Sequence, residues 1–197
     1  MRAACPPLPA PRTPPTLAGD LAIWIFILAE LLAFGVFFIA YAFARANNPE
    51  LFAAEQLALN RDAGAINTLL LLTASYFVVR AVHAAEAGQS RHGARWLVAA
   101  LGCAAGFVAI KIGEYAAAFS AGISLSSSTF HMFYLSLTFF HFMHVLLGMV
   151  ILGALWLNAR RGLYGPHNMN GIESGAAYWH MVDLVWLILF PLVYVIR

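Results

Sequence analysis

Charged side chains are scarce in this chain. Asp, Glu, Lys and Arg together make up 10% of the 197 residues, whereas hydrophobic residues make up 62%. Soluble domains are about one-quarter charged and about half apolar. This composition argues against a water-soluble domain and predicts an integral membrane protein.

Signatures of several other protein classes are also missing. The formal net charge is only +2 and no long basic run occurs, so nucleic acid is not a predicted partner. The two cysteines, Cys5 and Cys103, lie in a proline-rich tail and an apolar helix, so a disulfide is not expected. No CxxCH motif is present, which excludes covalently attached c-type haem. Walker, Rossmann and EF-hand motifs are also absent from the sequence.

Long hydrophobic runs divide most of the chain into five segments, each long enough to cross ~30 Å of hydrocarbon as a helix. We therefore expect an all-α polytopic membrane protein, a bundle of five transmembrane helices that forms one domain over residues 19–197. The proline-rich tail, residues 1–18, is predicted to be disordered and cytoplasmic, because proline disrupts helices. The predicted spans are about 20–43, 64–84, 94–119, 128–158 and 172–196.

The distribution of arginines predicts the orientation. Arginines are concentrated on the side that holds the N-terminus, so the positive-inside rule places the N-terminus in the cytoplasm and the C-terminus in the periplasm. The expected location is a bacterial inner membrane. The longest connection, residues 44–63, carries a weak signal for a short helix in the interface plane.

Ionisable side chains occur inside three of the spans, where each is costly and normally has a partner. Glu30 lies ~15 Å into the first span, counted at ~1.5 Å per residue. The same count places His141, His144, His180 and Asp183 in the same cytoplasmic half of the membrane. Isolated structural residues would not be expected to share a depth. We therefore expect one buried polar layer, with a proton, lipid or packing role, and Glu30 as its acid.

Lys111 and Glu114 stand three residues apart near the outer end of the third span. That spacing brings two side chains onto one face of a helix and suits an ion pair. The favoured role is structural, with the lysine extending toward the interface.

Five stretches resemble the subunit III family of haem–copper oxidases, the family of cytochrome c oxidase subunit 3. One of them is LNRDAGAINTLLLLTAS, which resembles the LN…NT entry to a family helix. ILAELLAFGVFF resembles the family helix with a buried, carbodiimide-reactive glutamate, which carries that role to Glu30. LTFFHFMHVLLG resembles the histidine signature, with Phe139 in place of the usual glycine. KIGEYAAAF and ESGAAYWHMVDLVWLILFPLVY resemble two further signatures of the family.

The resemblance implies a non-catalytic accessory subunit of a haem–copper oxidase-type complex, without a catalytic, cofactor or metal site of its own. Such a subunit packs beside the catalytic subunit, which carries haem and copper or iron, supports its stability and proton uptake, and binds phospholipid. Larger members have seven helices; this chain resembles the short five-helix bacterial forms, which keeps an association with nitric oxide reductase as an alternative.

Two hypotheses from other classes remain open at the level of sequence. The first is a membrane redox protein whose haem is held by two of the histidines His141, His144 and His180. Histidines three apart on one helix cannot bind both faces of one haem, which disfavours it, and a metal site lacks a third ligand. The second is a small proton-coupled transporter built around Glu30, for which no inverted repeat is visible.

Overall fold

The computed structural model describes residues 19–196, so the predicted disorder of the tail 1–18 lies outside the described residues, as does Arg197. The described chain is helical throughout, with short connections. Its elements are α1 (Leu21–Asn47), α2 (Pro49–Gln56), α3 (Arg61–Glu86), α4 (Ser90–Ser120), α5 (Thr129–Arg160), α6 (Asn170–Phe190) and a π-helical turn (Pro191–Val195).

Within residues 19–196, five helices are long and apolar enough to cross a membrane. The predicted all-α fold with five spans is therefore confirmed, although most helices extend beyond the predicted ends by one to four residues. The short helix α2 occupies part of the connection 44–63. Which side of the membrane holds each terminus stays a prediction.

Side-chain caps explain where three of the spans begin. The Oδ1 atoms of Asp20 and Asn60 each accept a hydrogen bond from a backbone N–H at the start of α1 and α3, at 3.1 Å. The hydroxyl of Ser128 does the same for α5, also at 3.1 Å. Such caps satisfy N–H groups that have no partner inside the helix. At the other end of α5, Gly162 adopts a φ of 75°, a backbone conformation that suits glycine.

The spans are not equally covered by their own chain. In the most apolar 18-residue window of α6, 56% of the residues are buried inside the protein, whereas in α1 only 11% are. The buried residues of α1 are Ile27, Phe34 and Tyr41, all on one face. Helices α3 to α6 therefore form the core of the bundle, and α1 lies at its edge with most of its surface uncovered.

Pro191 ends the regular hydrogen bonding of α6, and the chain continues as a π-helical turn. Buried Gln56 of α2 donates from Nε2 to the carbonyl oxygen of Val193 at 2.9 Å. This hydrogen bond satisfies a carbonyl group in the last turn, where helical partners run out, and holds α2 against that turn.

Two glycines on α5 are expected to respond in opposite ways when each is replaced by alanine. A Cβ at Gly148 would lie 2.9 Å from a ring carbon of Trp179, whereas nothing lies within 4 Å of one at Gly153. We expect Gly148→Ala to lower the free energy of unfolding by about 1–3 kcal/mol, because the buried indole cannot move freely. Gly153→Ala should be neutral or stabilising by up to about 1 kcal/mol, because alanine favours helix.

The two variants can be compared by thermal unfolding in detergent, followed by circular dichroism. Because both changes add the same methyl group to the same helix, helix propensity cancels in the comparison. Equal unfolding temperatures for the two variants would contradict the close packing between α5 and α6.

Candidate functional site

The structure brings Glu30 of α1 and His144 of α5 together. Their Oε2 and Nε2 atoms lie 3.0 Å apart, and the two side chains are 20% and 10% exposed. The other ring nitrogen of His144, Nδ1, lies 2.7 Å from the carbonyl oxygen of Phe140, one turn earlier on α5. The pair links the edge helix α1 to the core helix α5.

The hydrogen-bond geometry requires a proton between the two side chains. A carbonyl oxygen only accepts, so Nδ1 of His144 carries the hydrogen that is donated to Phe140. A neutral imidazole with that tautomer has a lone pair at Nε2, which faces an oxygen of Glu30. A hydrogen bond then needs one more proton, either on the carboxyl group or on the imidazole. One proton therefore lies between the two groups.

A second polar cluster joins α3 to α6. The hydroxyl of Ser75 lies 2.6 Å from Nδ1 of His180 and also interacts with the carboxyl group of Asp183. Ser75 and Asp183 are buried, whereas His180 is half-buried. His180 and Asp183, three residues apart on α6, therefore lie beside one hydroxyl of α3, which bridges the two helices.

His141 occupies a different environment from the other layer residues. It is fully buried, and neither of its ring nitrogens has a hydrogen-bond partner within residues 19–196. Its ring packs against aromatic rings at centre-to-centre distances of 5.1 Å for Trp186, 5.8 Å for Phe107 and 6.4 Å for Phe34. The expected single layer is thus two hydrogen-bonded clusters and one separate histidine packed among aromatic rings.

Lys111 and Glu114 form the expected ion pair, with 2.9 Å between Nζ and Oε2. However, Lys111 is fully buried and does not extend to the interface, which corrects that part of the expectation. Its ammonium group also donates to the hydroxyl of Tyr194 at 2.9 Å. Four aromatic rings surround it at 5.2–5.6 Å, those of Tyr115, Tyr134, Trp186 and Tyr194. Cation–π attraction compensates for part of the lost hydration of a buried cation.

Sequence reasoning did not single out Gln56 or Tyr194. A glutamine in a polar connection carries no signal that it will be buried. Tyr194 lies eleven residues after Asp183, so helical spacing could have placed it on the polar face of α6.

The histidines do not converge on a ligand site. In the described part of the chain, no three His, Cys, Asp or Glu side chains are placed so that they could hold a metal ion. His144 and His180 each use a ring nitrogen in a protein hydrogen bond, and aromatic rings enclose His141. The bis-histidine haem hypothesis therefore receives no support from the geometry.

These features define a polytopic five-helix membrane protein whose helices are joined by small buried polar clusters. The sequence profile of the cytochrome c oxidase subunit III family matches residues 16–196, nearly the whole chain. The chain belongs to this family, which confirms the resemblance noted in the sequence.

Individual relatives agree with the profile. Cytochrome c oxidase subunit 3 of Thermostichus vulcanus is 33% identical over 180 residues, which cover 89% of this chain and 86% of the relative. Quinol oxidase subunit 3 of Bacillus spizizenii is 31% identical over 175 residues, covering 88% and 85%. Haem–copper oxidase subunit I+III of Aeropyrum pernix is 29% identical over 181 residues, which cover 89% of this chain but only 22% of that longer protein. None of these names mentions nitric oxide reductase, so that association gains no support.

Proposed function

We propose that this chain, an accessory subunit of a haem–copper oxidase, contacts the catalytic subunit through α1 and supports its proton uptake through the Glu30–His144 pair. The observation that carries the proposal is the 3.0 Å contact between Oε2 of Glu30 and Nε2 of His144, which requires a shared proton. Neither residue needs a cofactor of its own for this role. The haem and copper belong to the partner, and the expected site is a bacterial inner membrane.

The surface of α1 supports its assignment as the contact helix. Its outer face carries large apolar side chains that are 61–72% exposed, at positions that repeat every three or four residues: Leu21, Ile25, Leu28, Leu32, Val36, Ile39 and Phe43. In a membrane such a face borders either lipid or another subunit. The fused subunit I+III relative supports the second reading, because its name joins both subunits in one protein.

The position of Glu30 at the edge of the bundle supports a proton site beside a partner. Its carboxyl group is partly exposed at the edge of the bundle, while the imidazole behind it is tied to the backbone of α5. The imidazole is fixed in place and can accept a proton from the more accessible carboxyl group. Such a pair could hold a proton temporarily. We place this function at mid-span, next to the surface offered to the catalytic subunit.

A membrane lipid is a further proposed ligand. A groove of about 490 Å³ lies between α1, α3 and α6, with apolar walls and with Glu86, Glu173 and His180 among its lining residues. Acyl chains fit apolar walls, and polar groups suit a headgroup. This groove is the site that we propose for the phospholipid binding that the family resemblance implies.

Glu30→Gln tests the proton role in the assembled complex. The amide keeps the size of the side chain and can still hydrogen-bond to Nε2 of His144, but it cannot release a proton at neutral pH. We expect normal co-purification with a tagged catalytic subunit and a severalfold lower steady-state turnover. Glu50→Gln, an exposed carboxyl on α2, is the matched control and should leave both unchanged. Normal turnover by Glu30→Gln in an intact complex would contradict the proton role and leave the packing role.

A further inference from the structure

A pocket of about 580 Å³ lies at the end of the bundle where α3 begins and α4 ends, the end predicted to face the periplasm. The connection between α2 and α3 and the start of α5 complete its walls. Most of the lining consists of alanine, leucine and isoleucine side chains. The polar side chains that line it are those of Asn60, Glu114, His131 and Tyr134.

His131 offers this pocket a hydrogen-bond acceptor. The hydroxyl of Ser128 donates to Oε2 of Glu55, and Nδ1 of His131 lies 2.9 Å from that hydroxyl and 3.1 Å from the same carboxylate oxygen. Because the hydroxyl has donated its only hydrogen and a carboxylate only accepts, Nδ1 carries a hydrogen. In the neutral imidazole Nε2 then has a lone pair. Within residues 19–196 this nitrogen has no partner and is not enclosed by protein, so a ligand can reach it.

Glu114 offers a second acceptor. Lys111 contacts its Oε2 at 2.9 Å, whereas Oε1 receives only a long hydrogen bond of 3.5 Å from the hydroxyl of Tyr194. A carboxylate has lone pairs for about four hydrogen bonds, so most of the capacity of Oε1 is unused. The side chain of Glu114 is 12% exposed and lines the pocket, whereas Lys111 is fully buried behind it. The pocket therefore meets the carboxylate and not the ammonium group.

The charges around the pocket favour a cation. Lys111 compensates for the charge of Glu114. The carboxylate of Glu55, in contrast, has only the hydroxyl of Ser128 and the imidazole of His131 as partners in the described part of the chain. None of the lysines and arginines among residues 19–196 lines the pocket. Two acceptors and one uncompensated negative charge suit a ligand that brings hydrogen-bond donors and a positive charge.

We propose that this pocket binds an amphiphilic amine, with its ammonium group against Glu114 and His131 and its hydrocarbon chain along the apolar walls. Small-molecule sites are typically apolar pockets of this size with a few polar groups that fix the orientation of the ligand. A bare metal ion would leave most of the volume empty. The headgroup of phosphatidylethanolamine also carries an ammonium group, but its phosphate would find no basic side chain in the lining. The proposal does not rest on the proton role of Glu30.

Isothermal titration of the full chain in detergent with hexylamine, at pH 8, tests the site. Hexanol has the same hydrocarbon chain and a hydrogen-bond donor but no charge, so it measures the contribution of the charge. We expect saturable binding of one hexylamine and about tenfold weaker binding of hexanol. The reason is that hydrogen bonds with a charged partner are the stronger class.

Two variants separate the acceptor from the charge. His131→Phe keeps a ring but removes Nε2, and it should weaken hexylamine binding by about tenfold. Glu55→Gln keeps the hydrogen bonds with Ser128 and His131 but removes the uncompensated charge from a residue that does not line the pocket. This variant should weaken binding of hexylamine severalfold and leave binding of hexanol unchanged.

Glu50→Gln is the matched control. It removes the same charge from the same helix, but Glu50 is exposed and does not line the pocket. Its affinity for hexylamine should equal that of the wild type. Glu55 and His131 are both partly exposed, and circular dichroism of each variant should show unchanged helix content.

Several results would overturn the proposal. Equal affinity for hexylamine and hexanol would show that charge plays no part. Wild-type affinity in both His131→Phe and Glu55→Gln, or an equal loss in Glu50→Gln, would place the amine elsewhere. Binding of zinc ions that depends on His131, without binding of hexylamine, would indicate a metal site. Retention of phosphatidylethanolamine without binding of hexylamine would indicate a lipid headgroup instead of a free amine.

Discussion

Glu114→Gln is expected to lower the free energy of unfolding by about 3–5 kcal/mol, the cost of leaving one member of a buried ion pair without the other. The ammonium group of Lys111 is fully buried, and the carboxylate of Glu114 is its only anionic partner within residues 19–196. The amide keeps the shape of the side chain but carries no charge. The aromatic rings around Lys111 reduce the penalty without removing it.

The double variant Lys111→Met and Glu114→Gln should regain most of that stability. It removes both charges together and leaves a flexible apolar side chain among the aromatic rings. Unfolding in detergent with increasing dodecyl sulfate, followed by circular dichroism, measures all variants on one scale. Glu50→Gln, an exposed change on α2, should shift the free energy by less than about 0.5 kcal/mol. A double variant less stable than Glu114→Gln would show that the lysine stabilises the bundle by itself.

The membrane-spanning helices were predictable because hydrocarbon thickness and backbone hydrogen bonding leave few alternatives. Runs of about twenty apolar residues must be helices, so the five spans follow from hydropathy alone. The constant rise per residue along a helix also gives an expected depth for each ionisable side chain, and these depths stay predictions. This is why the contact between Glu30 and His144, on helices far apart in the chain, could be anticipated as a shared layer.

Rotation of the helices about their axes could not be predicted in the same way. Every face of a membrane helix can be apolar, so the hydrophobic pattern does not say which side meets the core. Lys111 illustrates the difficulty, because a lysine near a helix end has two acceptable environments. One is the membrane–water interface, and the other is a buried cage of aromatic rings. The cage depends on Tyr134 and Tyr194, which belong to two other helices.

The prediction that His141 shares a polar cluster with His144 failed for a related reason. Residues three apart lie on the same face, yet they differ in direction by about 60°, at 3.6 residues per turn. On α5 that difference turns His144 toward α1 and His141 toward Trp186 of α6 and Phe107 of α4. Equal depth therefore does not guarantee a shared polar cluster, and the aromatic neighbours decide which histidine is hydrogen-bonded.

Treatment of native membranes with a hydrophobic carbodiimide is expected to modify Glu30 and no other acid within the spans. The reagent dissolves in the bilayer and needs a carboxyl group that is both accessible from lipid and able to hold a proton. Glu30 meets the first condition, because its side chain is 20% exposed on the edge helix, and its 3.0 Å contact with Nε2 of His144 supports the second. The family resemblance points to the same residue.

The other acids differ in ways that make them controls. Glu114 is paired with the ammonium group of Lys111 at 2.9 Å, and Asp183 is 8% exposed within its cluster with Ser75. Peptide mass spectrometry should therefore find the adduct on Glu30, and Glu30→Gln should abolish it while leaving helix content unchanged. Because the amide cannot react but keeps its contact with His144, loss of the adduct without loss of fold separates chemical reactivity from packing. An adduct on Asp183 in the wild type would contradict the prediction. It would show that the reactive acid belongs to the Ser75 cluster and lies on α6 rather than on α1.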